Sequence, residues 1–171
     1  MSRALVLNAT YEPLSVISVR RAVVLVLKEK AEVVHEGEGA FRSERLNMGA
    51  PSVIRLRRFV RVPYRARVPL TRRAVFVRDG HRCQYCDAAA ESIDHVVPSS
   101  RGGEHVWENV VACCRRCNSA KEDRLLHETS LRLRHKPVAP KQTMWIVVAV
   151  GRVDPSWAPY LDLEGLAVAS A

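Results

Sequence analysis

Four of the five cysteines stand in two Cys-x-x-Cys pairs, Cys83/Cys86 and Cys114/Cys117, with 27 residues between the pairs. Each pair can turn its sulfurs to one side of a tight turn, and two such turns complete a tetrahedron of thiolates, the arrangement of a structural Zn²⁺ site. An iron-sulfur cluster could also use four thiolates, and a redox dithiol one pair, but neither accounts for both pairs flanking a histidine-bearing stretch. Cys114 supplies the two-residue gap to Cys117, which leaves Cys113 as a small buried apolar residue. A closed four-sulfur site does no chemistry itself. Its work is to hold together a segment too short to bury a core of its own.

The polar residues that can do chemistry lie between and just after these pairs. They are Asp94-His95 with Pro98, the Gly102-Gly103 loop, Asn109, and Cys117-Asn118 with Lys121. Singly, each has an ordinary reading: a histidine in a strand is more often structural, Asn109 suits a turn, and a lysine is commonly solvated. Their conjunction inside a metal clip is what carries weight.

Charge adds a second signal. The formal net charge is +9, from 27 basic and 18 acidic residues. All of that excess falls between Arg55 and Arg82, where ten arginines (55, 57, 58, 61, 65, 67, 72, 73, 78 and 82) meet one acid, Asp79. The guanidinium fork matches phosphate oxygens, and each neutralised phosphate releases counterions. A solvated basic face is the plainer alternative, but this density beside a metal-site motif favours nucleic acid. Arg72, Arg73 and Arg78 from this run, Arg101 from the Gly-Gly loop, and Lys121 are the candidate contacts.

Together these residues resemble the HNH endonuclease family, in the variant where asparagine replaces the last histidine. Asp94-His95 with Pro98, Gly102-Gly103, Asn109, and Cys117-Asn118 with Lys121 carry the match over about residues 71 to 127. The stretch Leu5-Val6-Leu7-Asn8-Ala9-Thr10-Tyr11-Glu12-Pro13-Leu14 is similar to the opening of standalone bacterial HNH proteins. The resemblance implies a ββα-metal fold in which a hairpin carries the histidine, a helix carries the last asparagine, and both face one cation. It also implies that Asn109 holds the loop that orients His95, and that the products carry a 5′-phosphate and a 3′-hydroxyl.

The roles make physical sense without the name. Phosphodiester hydrolysis needs a nucleophile from water, in-line geometry, and positive charge at the departing oxygen. Asp94 is a hard oxygen ligand and Asn118 a neutral carbonyl one, a pair that favours Mg²⁺ or Mn²⁺ over Zn²⁺ or Ni²⁺. His95 is the expected general base. Lys121, about one helical turn after Asn118, is expected to face the same side and meet a phosphate oxygen. Two metals are therefore expected, one in sulfur and one in oxygen. DNA is the expected substrate, with RNA left open. The rival reading is a non-catalytic, zinc-dependent nucleic-acid-binding module. Asp94 argues against it, because a carboxylate in a phosphate-facing groove repels the ligand unless a cation lies between them.

The elements that must position these groups give an α+β chain: a ββα-metal catalytic element with structural zinc, preceded by a small mixed α/β module. The expected divisions are 1–68, 69–136 and a Pro-containing extension, 137–171. A strand at Ala4–Asn8, a helix from Ser18 to about Lys30, and extended pieces near Val33 and Val53–Leu56 make up the first module. The β-branched run Val23-Val24-Leu25-Val26 also suits a strand. Pro63 and Pro69 bracket a basic link, after which Thr71 caps a short helix through Asp79 that Gly80 ends. Strands near Ser92–Val96 and Asn109–Ala112 precede a helix beginning near Arg115. The apolar run Met144–Val150 is expected to add a strand or to pack onto the first module. No apolar stretch reaches the roughly 18 residues of a membrane span. The apolar start before Asn8 is too short for a secretory signal, which points to the cytoplasm. Nothing indicates an oligomeric state.

Overall fold

The computed structural model describes residues 2–44, 46–61, 68–141 and 143–161. They divide into two units, residues 2–61 with 149–161 and residues 68–148. Pro63, Arg65 and Arg67 of the basic link, and residues 162–171 of the extension, lie outside the described residues.

In the first unit, Ala4 to Leu7 is an unbroken apolar run, the pattern of a strand covered on both faces. It forms the inner strand β1 (Arg3–Leu7), pairing antiparallel with β2 (Pro13–Ser18) on one side. Helix α1 (Val19–Leu27) follows directly, capped by the Ser18 side chain, which accepts from the Arg21 N–H. Its β-branched run is helical because α1 turns Val19, Ala22 and Val23 onto the sheet, where they pack with Ala4, Val6 and Ile54. Strand β3 (Ala31–Ser43) pairs antiparallel with β4 (Leu46–Leu56), and β4 pairs parallel with β1 through Leu5↔Val53, giving the order β2-β1-β4-β3. This hairpin is much longer than the two short pieces expected. Its outer part, Glu36–Ala40, is exposed and charged, so no hydrophobic alternation announces it. Trp157, 2% exposed, donates from its indole N–H to the Ser52 carbonyl at 2.9 Å, and the Tyr160 hydroxyl meets His35 Nε2 at 3.0 Å. These contacts tie residues 157–160 into this unit.

In the second unit, α2 (Arg72–Arg78) is capped by Thr71, which accepts from the Ala74 N–H, and ends before Gly80 at φ +62°. Strands β5 (Ser92–His95) and β6 (Val110–Cys113) form an antiparallel hairpin with Asp94 opposite Val111 and His95 opposite Val110. Helix α3 (Arg115–Lys121) completes a ββα element within an α+β chain. The α2 side chain Val75 packs on Val110 and Ala112, joining helix to hairpin. Met144–Val150 forms a helix, α4, and not a strand, with Met144 buried among Val68 and Ala74 of the second unit. Among the described residues, no helix is long and apolar enough to cross a membrane.

Candidate active site and metal centre

The four cysteines converge. Cys83, Cys86, Cys114 and Cys117 place their sulfurs within 4.8 Å of one another, with Cys86 Sγ and Cys114 Sγ 3.6 Å apart. A tetrahedral Zn²⁺ with bonds of about 2.3 Å has sulfur-sulfur edges of about 3.8 Å, so the set has the dimensions as well as the chemistry of a zinc site. The first pair sits on a tight turn, with Asp87 N–H donating to the Cys83 carbonyl at 2.9 Å and Asp87 itself at φ +66°. In the second pair, Cys114 caps α3. Burial alone would raise the Cys83 thiol, but backbone hydrogen bonds from Cys114, Cys86 and Tyr85 bring it down to about 7, while burial and the neighbouring sulfurs push the Cys117 thiol up, so the clustered sulfurs favour a single thiolate at Cys83. Cys113 is outside this cluster; it is wholly buried, and burial pushes its thiol up to about 12.

Asp94 is 8% exposed and held from two directions. The Tyr85 hydroxyl donates to its Oδ2 at 2.6 Å, and Lys121 Nζ lies 3.2 Å from Oδ2 and 3.3 Å from Oδ1. Lys121 Nζ also donates to the His95 backbone carbonyl at 2.8 Å. The expectation that Lys121 meets a phosphate is therefore corrected: its ammonium is fully buried and pairs helix α3 with strand β5. Burial and the bond to Asp94 raise the Tyr85 hydroxyl well above its ordinary range, so it stays protonated as a donor. Sequence reading missed Tyr85, although its position inside the first Cys-x-x-Cys turn offered a signal.

Asn109 acts as a side-chain staple. Its Oδ1 accepts from the Val97 N–H at 2.8 Å, while Nδ2 donates to the carbonyls of Val97 at 3.0 Å and Glu104 at 2.9 Å. One amide thus closes the loop immediately after His95. Gly103 is required inside it, because a Cβ there would stand 1.8 Å from the Val97 oxygen. The same loop carries His105, whose Nδ1 lies 3.0 Å from His95 Nε2. His105 was also missed; the signal was a second histidine between the cysteine pairs, two residues past Gly103.

Asn118 is half-buried on α3, one turn before Lys121 and so on the face that Lys121 turns toward β5. The carboxylate of Asp94 has about four lone-pair positions, not all of them taken by Tyr85 and Lys121. Asp94 and Asn118 carry a carboxylate oxygen and an amide oxygen, the donor types that a hard divalent cation accepts.

The basic residues separate into two groups. Arg78 does not face solvent: its side chain is 9% exposed, paired with Asp79 at 2.7 Å, donating to the carbonyls of Trp107 at 2.8 Å and Val110 at 2.6 Å. Asp79 in turn accepts from the Ala112 N–H at 2.7 Å, so this pair fastens α2 to the hairpin and corrects the expectation that Arg78 contacts nucleic acid. Arg72, Arg73 and Arg101 are exposed; Arg72 donates to the Glu91 carbonyl, and Arg101 pairs with Glu128 at 3.0 Å. A separate cavity of about 470 Å³, beside Arg82, Arg134 and Lys136, includes neither Asp94, His95 nor Asn118.

A family model described as HNH endonuclease matches residues 83–133, and one described as HNH endonuclease-associated, N-terminal domain, matches residues 4–64. No curated protein and no solved structure matches the chain.

Proposed function

We propose that this chain, which belongs to the HNH endonuclease family, is a metal-dependent endonuclease that hydrolyses phosphodiester bonds in DNA. What supports the reading is the pair Asp94-His95 at the end of β5, inside the residues that the HNH endonuclease model matches, with Lys121 of α3 bound to Asp94 and to the His95 carbonyl and Asn118 one turn before it. In this reading a water oxygen attacks phosphorus while its proton passes to the His95 imidazole. The bond to the 3′ oxygen breaks, that oxygen takes a proton from solvent, and a 5′-phosphate remains. Asp94 and Asn118 would hold Mg²⁺ or Mn²⁺, which supplies positive charge at the departing oxygen. Lys121 and Tyr85 fix the Asp94 carboxylate in one orientation, and Asn109 fixes the loop beside His95. The zinc cysteines shape the element and touch no substrate.

One observation favours the rival binding module: Lys121 already neutralises the Asp94 carboxylate without any second cation. The two readings separate in a crystal soaked with Mn²⁺. The nuclease reading expects an oxygen-ligated ion at Asp94 and Asn118, beside zinc on the four sulfurs. Zinc alone, with no ion at Asp94 at saturating Mn²⁺, supports the binding module.

A further inference from the structure

The first unit carries a surface that the cleavage chemistry does not use, built by the turn at residues 8–12. Asn8 is 1% exposed. Its backbone closes the turn, accepting from the Tyr11 N–H at 2.9 Å and donating to the Glu12 carbonyl at 2.8 Å. Its side chain reaches across 52 residues, donating to the Val60 carbonyl at 2.9 Å and accepting from the Val60 N–H at 2.9 Å. A buried amide thus imitates a strand partner and pins the segment that leaves β4.

What the pinned segment displays is unusual. Phe59 is 60% exposed, Val60 46% and Tyr11 48%, where apolar side chains of this size are ordinarily buried. The Arg55 guanidinium lies 4.6 Å from the centre of the Tyr11 ring and is paired with Glu32 at 2.6 Å. Arg57, Arg58 and Arg61 are exposed and have no ion-pair partner among the described residues. Three exposed guanidinium groups, unpaired among the described residues and interleaved with an exposed aromatic ring, complement a chain that alternates phosphate and flat apolar surface.

We propose that the segment 57–61, braced by Asn8, is a nucleic-acid-binding face, with the arginines on phosphates and Phe59 stacking on an unpaired base. The inference shares with the nuclease reading only that the ligand is nucleic acid, and it does not require cleavage at His95. An acidic protein would pair with the arginines but would leave the flat ring without a matching surface.

The test uses the full chain as the His95→Ala variant and follows the anisotropy of a fluorescein-labelled single-stranded oligodeoxynucleotide, and of its duplex, across a salt series. Combining Arg57→Glu, Arg58→Glu and Arg61→Glu should weaken single-strand binding at least about tenfold and reduce its salt slope by about two, the share of three phosphate contacts. Phe59→Ala should weaken single-strand binding between about five- and a hundredfold while affecting the duplex less. If charge reversal compromises folding in a thermal melt, the three Arg→Gln changes serve instead. Wild-type affinity and slope in the folded arginine variant would overturn the proposal, as would Phe59→Ala weakening both forms equally. A wild-type chain that binds through this face yet cuts nothing with any metal defeats the nuclease reading alone. One that cuts while the arginine variant binds unchanged defeats this inference alone.

Discussion

Lys121 Nζ stands 3.2 Å from Asp94 Oδ2, the lysine fully buried and the carboxylate side chain 9% exposed, so the residue before the proposed base is held by a largely buried ion pair. Removing one partner of such a pair leaves an uncompensated buried charge. Lys121→Met should therefore destabilise the second unit by about 3–5 kcal/mol in urea melts. A lysine acting only on phosphate would weaken DNA binding and leave the melt unchanged.

Asn109→Asp keeps the acceptor for the Val97 N–H but removes the donor to the carbonyls of Val97 and Glu104. The expected cost is about 1–3 kcal/mol of loop stability, with cleavage falling by at least about tenfold. Gly103→Ala should act in the same direction, since its Cβ meets the Val97 oxygen. Zinc content, read by atomic absorption, should be unchanged in both; zinc loss would show that the loop and the cysteine site fold as one.

The cysteines should divide sharply. Cys114→Ser should release zinc and unfold the second unit, whereas Cys113→Ala should keep the metal. With the Cys83 thiol lowered from its ordinary 9.0 to about 7, stabilisation from its thiolate is complete above 9.0 and is lost as pH falls through about 7. Zinc affinity, followed with a chromogenic chelator, should therefore weaken steadily on acidification through neutrality. Pairing of Cys113 in place of Cys114 would reverse the two variants.

His105 meets the nitrogen of His95 that a water bound at the other nitrogen would leave free. A partner there fixes which nitrogen carries the proton and how the ring is turned. His105→Ala should lower kcat between about ten- and a hundredfold with little change in KM, and His105→Gln should recover part of it. An unaltered kcat would reduce the contact to a surface encounter.

The metal clip was legible because ligand spacing is a local constraint: Cys114 and Cys117 must lie three apart whatever surrounds them. The caps at Ser18 and Thr71 were legible for the same reason. What sequence could not give was burial. Arg78 and Lys121 read as surface charges until the hairpin supplies a carbonyl cage for one and Asp94 for the other. Nor could it show that Met144–Val150, strand-like in composition, meets Val68 and Ala74 as a helix. Asn8 belongs to the same class, because its partner Val60 is set by the sheet order and not by any nearby residue.

The most direct measurement is nicking of supercoiled plasmid by the zinc-loaded chain with and without added Mg²⁺ or Mn²⁺, wild type beside His95→Ala. Nicking that requires the added metal and falls by about a hundredfold or more in His95→Ala is the predicted result. No nicking under any metal, or equal nicking by both proteins, would contradict the account.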